Sequence, residues 1–125
     1  MKLSSYKVNP KHRAQKPKED CTQWTVSEWV ELNLFVEGQK KEWVCGKNNV
    51  WSIEGSIGNY TEIGNNGTAS AYMAKYVTDH NGEWHGYPVV PSRQADRPPT
   101  TVLDSWKNNG IINKHIQSKI TKGKW

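Results

Sequence analysis

His12, His85, Tyr87 and Arg93 are the residues of this sequence best suited to carry chemistry. An imidazole titrates near neutrality and can take or give a proton. A phenol can position or protonate, and a guanidinium can hold a phosphate through two parallel hydrogen bonds. Further cations stand nearby in sequence: Lys11 and Arg13 flank His12, Arg97 follows Arg93, and Lys122 and Lys124 lie near the end. This set fits cleavage of a phosphodiester by the ribose 2′-hydroxyl. A base removes the 2′ proton, an acid protonates the leaving 5′ oxygen, and cations stabilise the charge building on phosphate. The nucleophile belongs to the substrate, so the chemistry asks for no cofactor and no metal. Lys11, Arg13, Arg97, Lys122 and Lys124 are then the expected RNA-binding residues.

Each residue also has a plain structural reading. His12 reads as a solvated residue of a basic tail, His85 as a bonded sheet histidine, Tyr87 as packing, and Arg93 and Arg97 as surface charge. His80, beside Asn81-Gly82, reads as a turn residue and His115 as surface. The sequence lacks a Gly-x-x-x-x-Gly-Lys-Ser/Thr loop, a Gly-x-Ser-x-Gly elbow and a His-Glu-x-x-His pair. Cys21 and Cys45 form no Cys-x-x-Cys pair and read as two free thiols.

These side chains must be positioned by short elements. Asn9-Pro10-Lys11-His12-Arg13 sits in a Pro- and charge-rich stretch, and residues 1–20 read as an extended basic arm ahead of a single domain, 21–125. Thr25-Val26-Ser27-Glu28 has the form of a capping box. The Trp29, Val30, Leu32, Leu34 and Phe35 that follow predict an amphipathic helix ending at Gly38 and packing on a sheet. Residues 41–54 predict a hairpin turning at Lys47-Asn48-Asn49. Residues 55–68, rich in Gly and Asn, predict a loop with a short strand near 60–63.

The clearest local signal is the hairpin over 69–90, turning at Asn81-Gly82. Side chains alternate along a strand, so Glu83, His85, Tyr87 and Val89 share one face and Trp84 takes the other. Pro88 places the end of this strand at an edge or bulge. A polar loop over 91–99 leads to a helix opened by Pro99 and closed at Asn108-Asn109-Gly110. Ile111 to Ile120 suit a further helix or a strand. The fold class expected is α+β: an antiparallel meander packed against an N-terminal helix, with a further short C-terminal helix.

A chain of 125 residues favours one domain. With seven Trp and one Phe, indole rings must supply much of the core, and Trp24, Trp29, Trp43, Trp51 and Trp106 are expected there. No stretch approaches the roughly 20 apolar residues of a membrane span, and no leader-like run follows the start. The expected location is a cytoplasm, its own or that of a target cell. The net charge of +5 is unevenly spread: residues 1–18 hold six Lys/Arg and no acid, residues 97–125 six and one acid, and the middle five against eleven acids. Basic ends that converge in space would face a polyanion.

In the order of these pieces the chain resembles small bacterial toxin ribonucleases of the barnase–EndoU–colicin–RelE group. The pieces are Asn9-Pro10-Lys11-His12, the helix near 26–36, Glu83-Trp84-His85-Gly86-Tyr87, the helix near 99–108 and Lys122-Gly123-Lys124-Trp125. The resemblance implies an endoribonuclease toxin, acting on tRNA or other cellular RNA, with a cognate immunity or antitoxin protein as partner. Where many members carry a second His or a Ser/Thr, this chain has Tyr87. Two other classes fit the same residues. One is a module that grips RNA without cleaving it. The other is a small interaction protein (immunity, inhibitor or phage accessory) whose acidic middle meets a basic partner.

Overall fold

The computed structural model of the protein describes residues 5–17, 21–46, 48–79 and 81–125. In chain order they form β1 (Ser5–Tyr6), a 3-10 turn (Pro10–Arg13), β2 (Gln23–Trp24), α1 (Glu28–Lys40), β3 (Val44–Cys45) and β4 (Asn49–Ile53). Four short strands follow: β5 (Gly55–Ser56), β6 (Asn59–Tyr60), β7 (Gly64–Asn65) and β8 (Ser70–Ala71). The chain continues through β9 (Met73–Thr78), β10 (Glu83–Val89), a second 3-10 turn (Gln94–Asp96), α2 (Thr100–Asn108) and α3 (Lys114–Thr121). The fold is α+β, and the Ile111–Ile120 segment, expected as a helix or a strand, is the helix α3. The turn roles expected of Lys47 and His80 fall outside the described residues.

Among the described residues the main sheet has five strands in the order β1-β10-β9-β4-β3. Its long pairings are antiparallel, and the insertion between β4 and β9 holds the short strands. Register fixes the faces: Val50, Tyr76 and Gly86 stand opposed on one side, and Trp51, Lys75 and Tyr87 on the other. On the first side Leu34 and Phe35 of α1 pack with Trp24, Val50, Tyr76 and Trp84. On the second, Val102, Leu103 and Trp106 of α2 and Ile120 of α3 pack with Trp51, Ile53, Met73 and Val89. The alternation expected for Glu83, His85, Tyr87 and Val89 therefore holds. Trp84 takes the opposite face. Pro88 sends its carbonyl to the Thr22 hydroxyl on the open edge of β10, so its missing N–H costs no ladder bond.

Helix α1 differs from its expected form in three ways. Its N-cap is Ser27, whose hydroxyl accepts from the Val30 N–H at 3.3 Å, and not Thr25. It runs through Gly38 to Lys40. A Cβ on Gly38 would lie 2.3 Å from the Trp51 carbonyl oxygen, so this glycine is a contact point between helix and strand, not a stop. The inward face is Glu31, Leu34, Phe35 and Gly38, which leaves Trp29 72% exposed, with Leu32 and Val36 also exposed beside it. The expected core position of Trp29 is thereby corrected, whereas Trp24, Trp43, Trp51 and Trp106 are buried.

The reason a carboxylate replaces Trp29 on the inward face lies in the N-terminal segment. Glu31 is fully buried. Its Oε1 accepts from Arg13 Nε at 3.0 Å and Nη2 at 2.8 Å, and its Oε2 accepts from the Tyr6 hydroxyl. Arg13 also donates to the Val26 carbonyl at 2.9 Å. Tyr6 lies in β1, which pairs in parallel with the start of β10. The described residues 5–17 therefore pack onto the domain rather than extending from it as an arm. Burial raises the Glu31 carboxyl, and its bonds to Tyr6 and Arg13 oppose that rise. No helix among the described residues is long and apolar enough to cross a membrane.

Candidate active site

The site is built where the N-terminal 3-10 turn meets β10. Asn9 caps that turn, its side chain accepting from the Lys11 N–H at 3.0 Å, and Pro10 sets its first dihedral. Buried Gln23 clamps the turn from below. Its amide nitrogen donates to the Lys11 carbonyl at 2.8 Å, and its oxygen accepts from the Ala14 and Gln15 N–H groups at 2.7 and 3.0 Å. The turn thereby presents His12 inward, buried, and Lys11 outward.

His12 stacks on Tyr87 with ring centroids 5.0 Å apart and 16° between planes. Its Nδ1 lies 2.7 Å from the Thr22 carbonyl oxygen. A carbonyl can only accept, so Nδ1 carries the proton in that bond and the neutral ring keeps its basic lone pair on Nε2. Burial lowers the His12 pKa below the ordinary imidazole value. The bond to Thr22 opposes this, and the nearby charges of Lys11 and His85 add to it.

Lys11, His12, Thr22, Tyr87, Arg93, Ala95 and Asp96 line a single cleft of about 280 Å³. Lys11 comes from the basic N-terminal region and Arg93 from the acidic middle, just ahead of the basic C-terminal region, so this cleft joins two cations without joining the two basic ends. The far wall is the loop 91–97, held to the sheet by Lys75, which donates from Nζ to the Ala95 carbonyl at 2.7 Å and lies 5.3 Å from the centre of the Trp51 ring. Burial raises the Asp96 carboxyl against the pull of Lys75 and Arg93. Burial, with Asp96 adding to it, pushes the Tyr87 phenol up to about 12.

His85 stands two residues before Tyr87 on the same strand face and is half-buried. It lines an adjoining cleft of about 210 Å³ with Lys7, Asn9, Pro10 and Glu83. Gly86, next to it, is required by packing: a Cβ there would sit 2.2 Å from the Tyr76 ring.

Of the residues singled out from the sequence, Lys11, His12, Tyr87 and Arg93 share the first cleft and His85 is its neighbour. Arg13 is committed to Glu31 and lies outside it. Arg97 is committed to backbone, donating to the Pro91, Ser92 and Thr121 carbonyls at 2.8, 3.4 and 3.3 Å. Lys122 and Lys124 are exposed; Lys124 lines a separate groove beside Trp125. His115 is exposed on α3. Sequence reasoning missed Thr22, Gln23, Lys75 and Asp96, which no local pattern marks. Both cysteines are free. Among the described residues no group of three or more His, Cys, Asp or Glu is arranged to hold a metal. Comparison with protein families, with characterised proteins and with solved structures gives no match.

Proposed function

We propose that the protein is a metal-independent endoribonuclease that cleaves RNA through the substrate's own 2′-hydroxyl. The observation that supports this reading is the fixed tautomer of His12 in a cleft that it shares with two cations. With Nδ1–H given to Thr22, Nε2 of a neutral ring is the nitrogen able to accept the 2′ proton. His85, the less buried imidazole, is the partner that carries a proton to the leaving 5′ oxygen. Burial lowers the His12 pKa, which suits that ring to the role of base, and His85, two residues before Tyr87 on the same strand face, is left the role of acid. Lys11 and Arg93 hold the phosphate from opposite walls. Tyr87 orients His12 by stacking, because a phenol pushed up to about 12 is far from the operating pH and a weak proton donor there.

The test is incubation of the purified protein with total RNA in EDTA. Discrete fragments ending in 2′,3′-cyclic phosphate support the reading. RNA that is shifted in a gel but intact points to a binding module without catalysis. RNA that is neither cut nor bound removes both.

A further inference from the structure

The cleft around His12 accounts for one phosphate and leaves Lys124 and Trp125 without a role. They line the largest of the surface grooves described here, about 470 Å³, whose other walls are Asn66, Thr68, Ser92 and Gly123. Trp125 is half-buried and buttressed by two phenol rings: Tyr60 edge-on at 5.1 Å and Tyr72 tilted at 5.3 Å. Tyr60 is itself anchored, its hydroxyl donating to the Ile111 carbonyl at 2.6 Å. An indole held in this way offers a stacking surface that loses little freedom when a base lies on it.

Two features link this separate groove to the cleft at His12. Ser92 lines one and Arg93 the other, and consecutive Cα atoms are about 3.8 Å apart. The loop that carries both is also fastened to the turn that carries Lys124. Helix α3 ends in a Schellman motif, with the Gly123 N–H bonded to Ile120 O at 3.0 Å and the Lys124 N–H to Lys119 O at 2.8 Å. Gly123 has φ +72°, and a Cβ on it would fall 2.4 Å from Arg97 Nη2 and 2.9 Å from the Pro91 carbonyl oxygen. Arg97 fits into that space and ties Pro91 and Ser92 to Thr121. The Arg93 wall and the Lys124–Trp125 wall are therefore one strutted unit.

We infer that the groove at Lys124 and Trp125 is a second subsite for single-stranded RNA, in which a base stacks on Trp125 and its phosphate pairs with Lys124. The inference rests on the endoribonuclease reading. It assigns the substrate as an unpaired strand running from the cleft, across the 92–93 ridge, into the groove, because a base within a duplex has no free face to stack. Arg97 is a positioning residue in this scheme.

The experiment is a binding and cleavage series with single-stranded oligonucleotides of increasing length, and with 2′-deoxy versions that cannot be cleaved. For the wild type, affinity and kcat/KM should rise once the strand is long enough to reach the groove, and the rise should vanish when that end is paired with a complementary strand. Trp125→Ala should lower affinity for the long strand roughly tenfold or more and leave the shortest substrate unchanged. Lys124→Gln, at an exposed position that folding tolerates, should lower the slope of log K against log salt by about 0.7. Cleavage that is indifferent to length and to both substitutions overturns the subsite and leaves the nuclease reading standing. Wild-type protein that neither cleaves the oligonucleotides nor binds their deoxy forms overturns both.

Discussion

The imidazole of His12 lies nearly parallel to the phenol ring of Tyr87, 16° between planes and 5.0 Å between centres, although the two are 75 positions apart in sequence. The stack joins the N-terminal turn to the last strand of the sheet, and with the Thr22 carbonyl it leaves His12 one orientation and one tautomer.

Removing the His12 imidazole should abolish most catalysis without releasing RNA. His12→Gln should lower the rate roughly 10²–10⁴-fold while binding of a deoxy oligonucleotide changes little. His85→Ala should cost a similar factor. Full activity in either variant would remove the assigned role.

The pH dependence has a definite sign. Burial depresses the His12 pKa below 6.5, so the folded state binds this proton more weakly than the unfolded chain does. Its contribution is at its most favourable above about 6.5 and is lost as pH falls through that value toward the lower folded-state pKa. The acid limb of kcat/KM should likewise lie below 6.5. Urea midpoints at about pH 7.5 and about pH 5.5 should differ less in His12→Gln than in the wild type.

Tyr87 separates stacking from proton donation. Tyr87→Phe keeps the ring and loses the hydroxyl, and should retain activity within a few-fold. Tyr87→Ala removes the stack and should lower kcat by an order of magnitude or more, since small misplacements of a base are costly. A large loss of kcat in Tyr87→Phe would instead make the phenol a proton donor.

The Arg13–Glu31 pair should be a stability determinant. The two side chains are 20% and 0% exposed, and removal of one partner leaves the other's charge buried. Arg13→Met should lower stability by about 3–5 kcal/mol, read as a fall in urea midpoint. Replacing Glu31 by Met in the same chain should recover much of that loss, because the uncompensated carboxylate is then gone. A near-neutral Arg13→Met would mean that Tyr6 alone satisfies Glu31.

Gly38→Ala sets helix propensity against packing. Alanine favours a helix interior by about 1 kcal/mol over glycine. A Cβ 2.3 Å from the Trp51 carbonyl oxygen forces α1 off β4, at about 1–3 kcal/mol for overpacking. Packing should win, and the substitution should destabilise when measured by thermal or urea unfolding.

Local patterns in the sequence were enough to determine the α+β class, the β9–β10 hairpin at Asn81-Gly82, and the common face of His85 and Tyr87, because turn chemistry and strand alternation act over a few residues. Pro99 before α2 and Asn109-Gly110 after it were legible for the same reason. The inward face of α1 was not. The apolar pattern pointed to Trp29 and Leu32, but a buried Glu31 won because Tyr6 and Arg13, distant in sequence, satisfy its charge. The chemical types at the cleft were likewise readable, and their sorting was not. Arg13 and Arg97 look the same in sequence as Lys11 and Arg93. Only the tertiary structure commits the first two to Glu31 and to backbone carbonyls, and leaves the second two facing the cleft. The tautomer of His12 depends on a carbonyl ten residues away, and Lys75 and Asp96 enter through the sheet register and the loop that packs on it. Contacts of this kind are set by which surfaces meet, and a one-dimensional pattern carries no record of that.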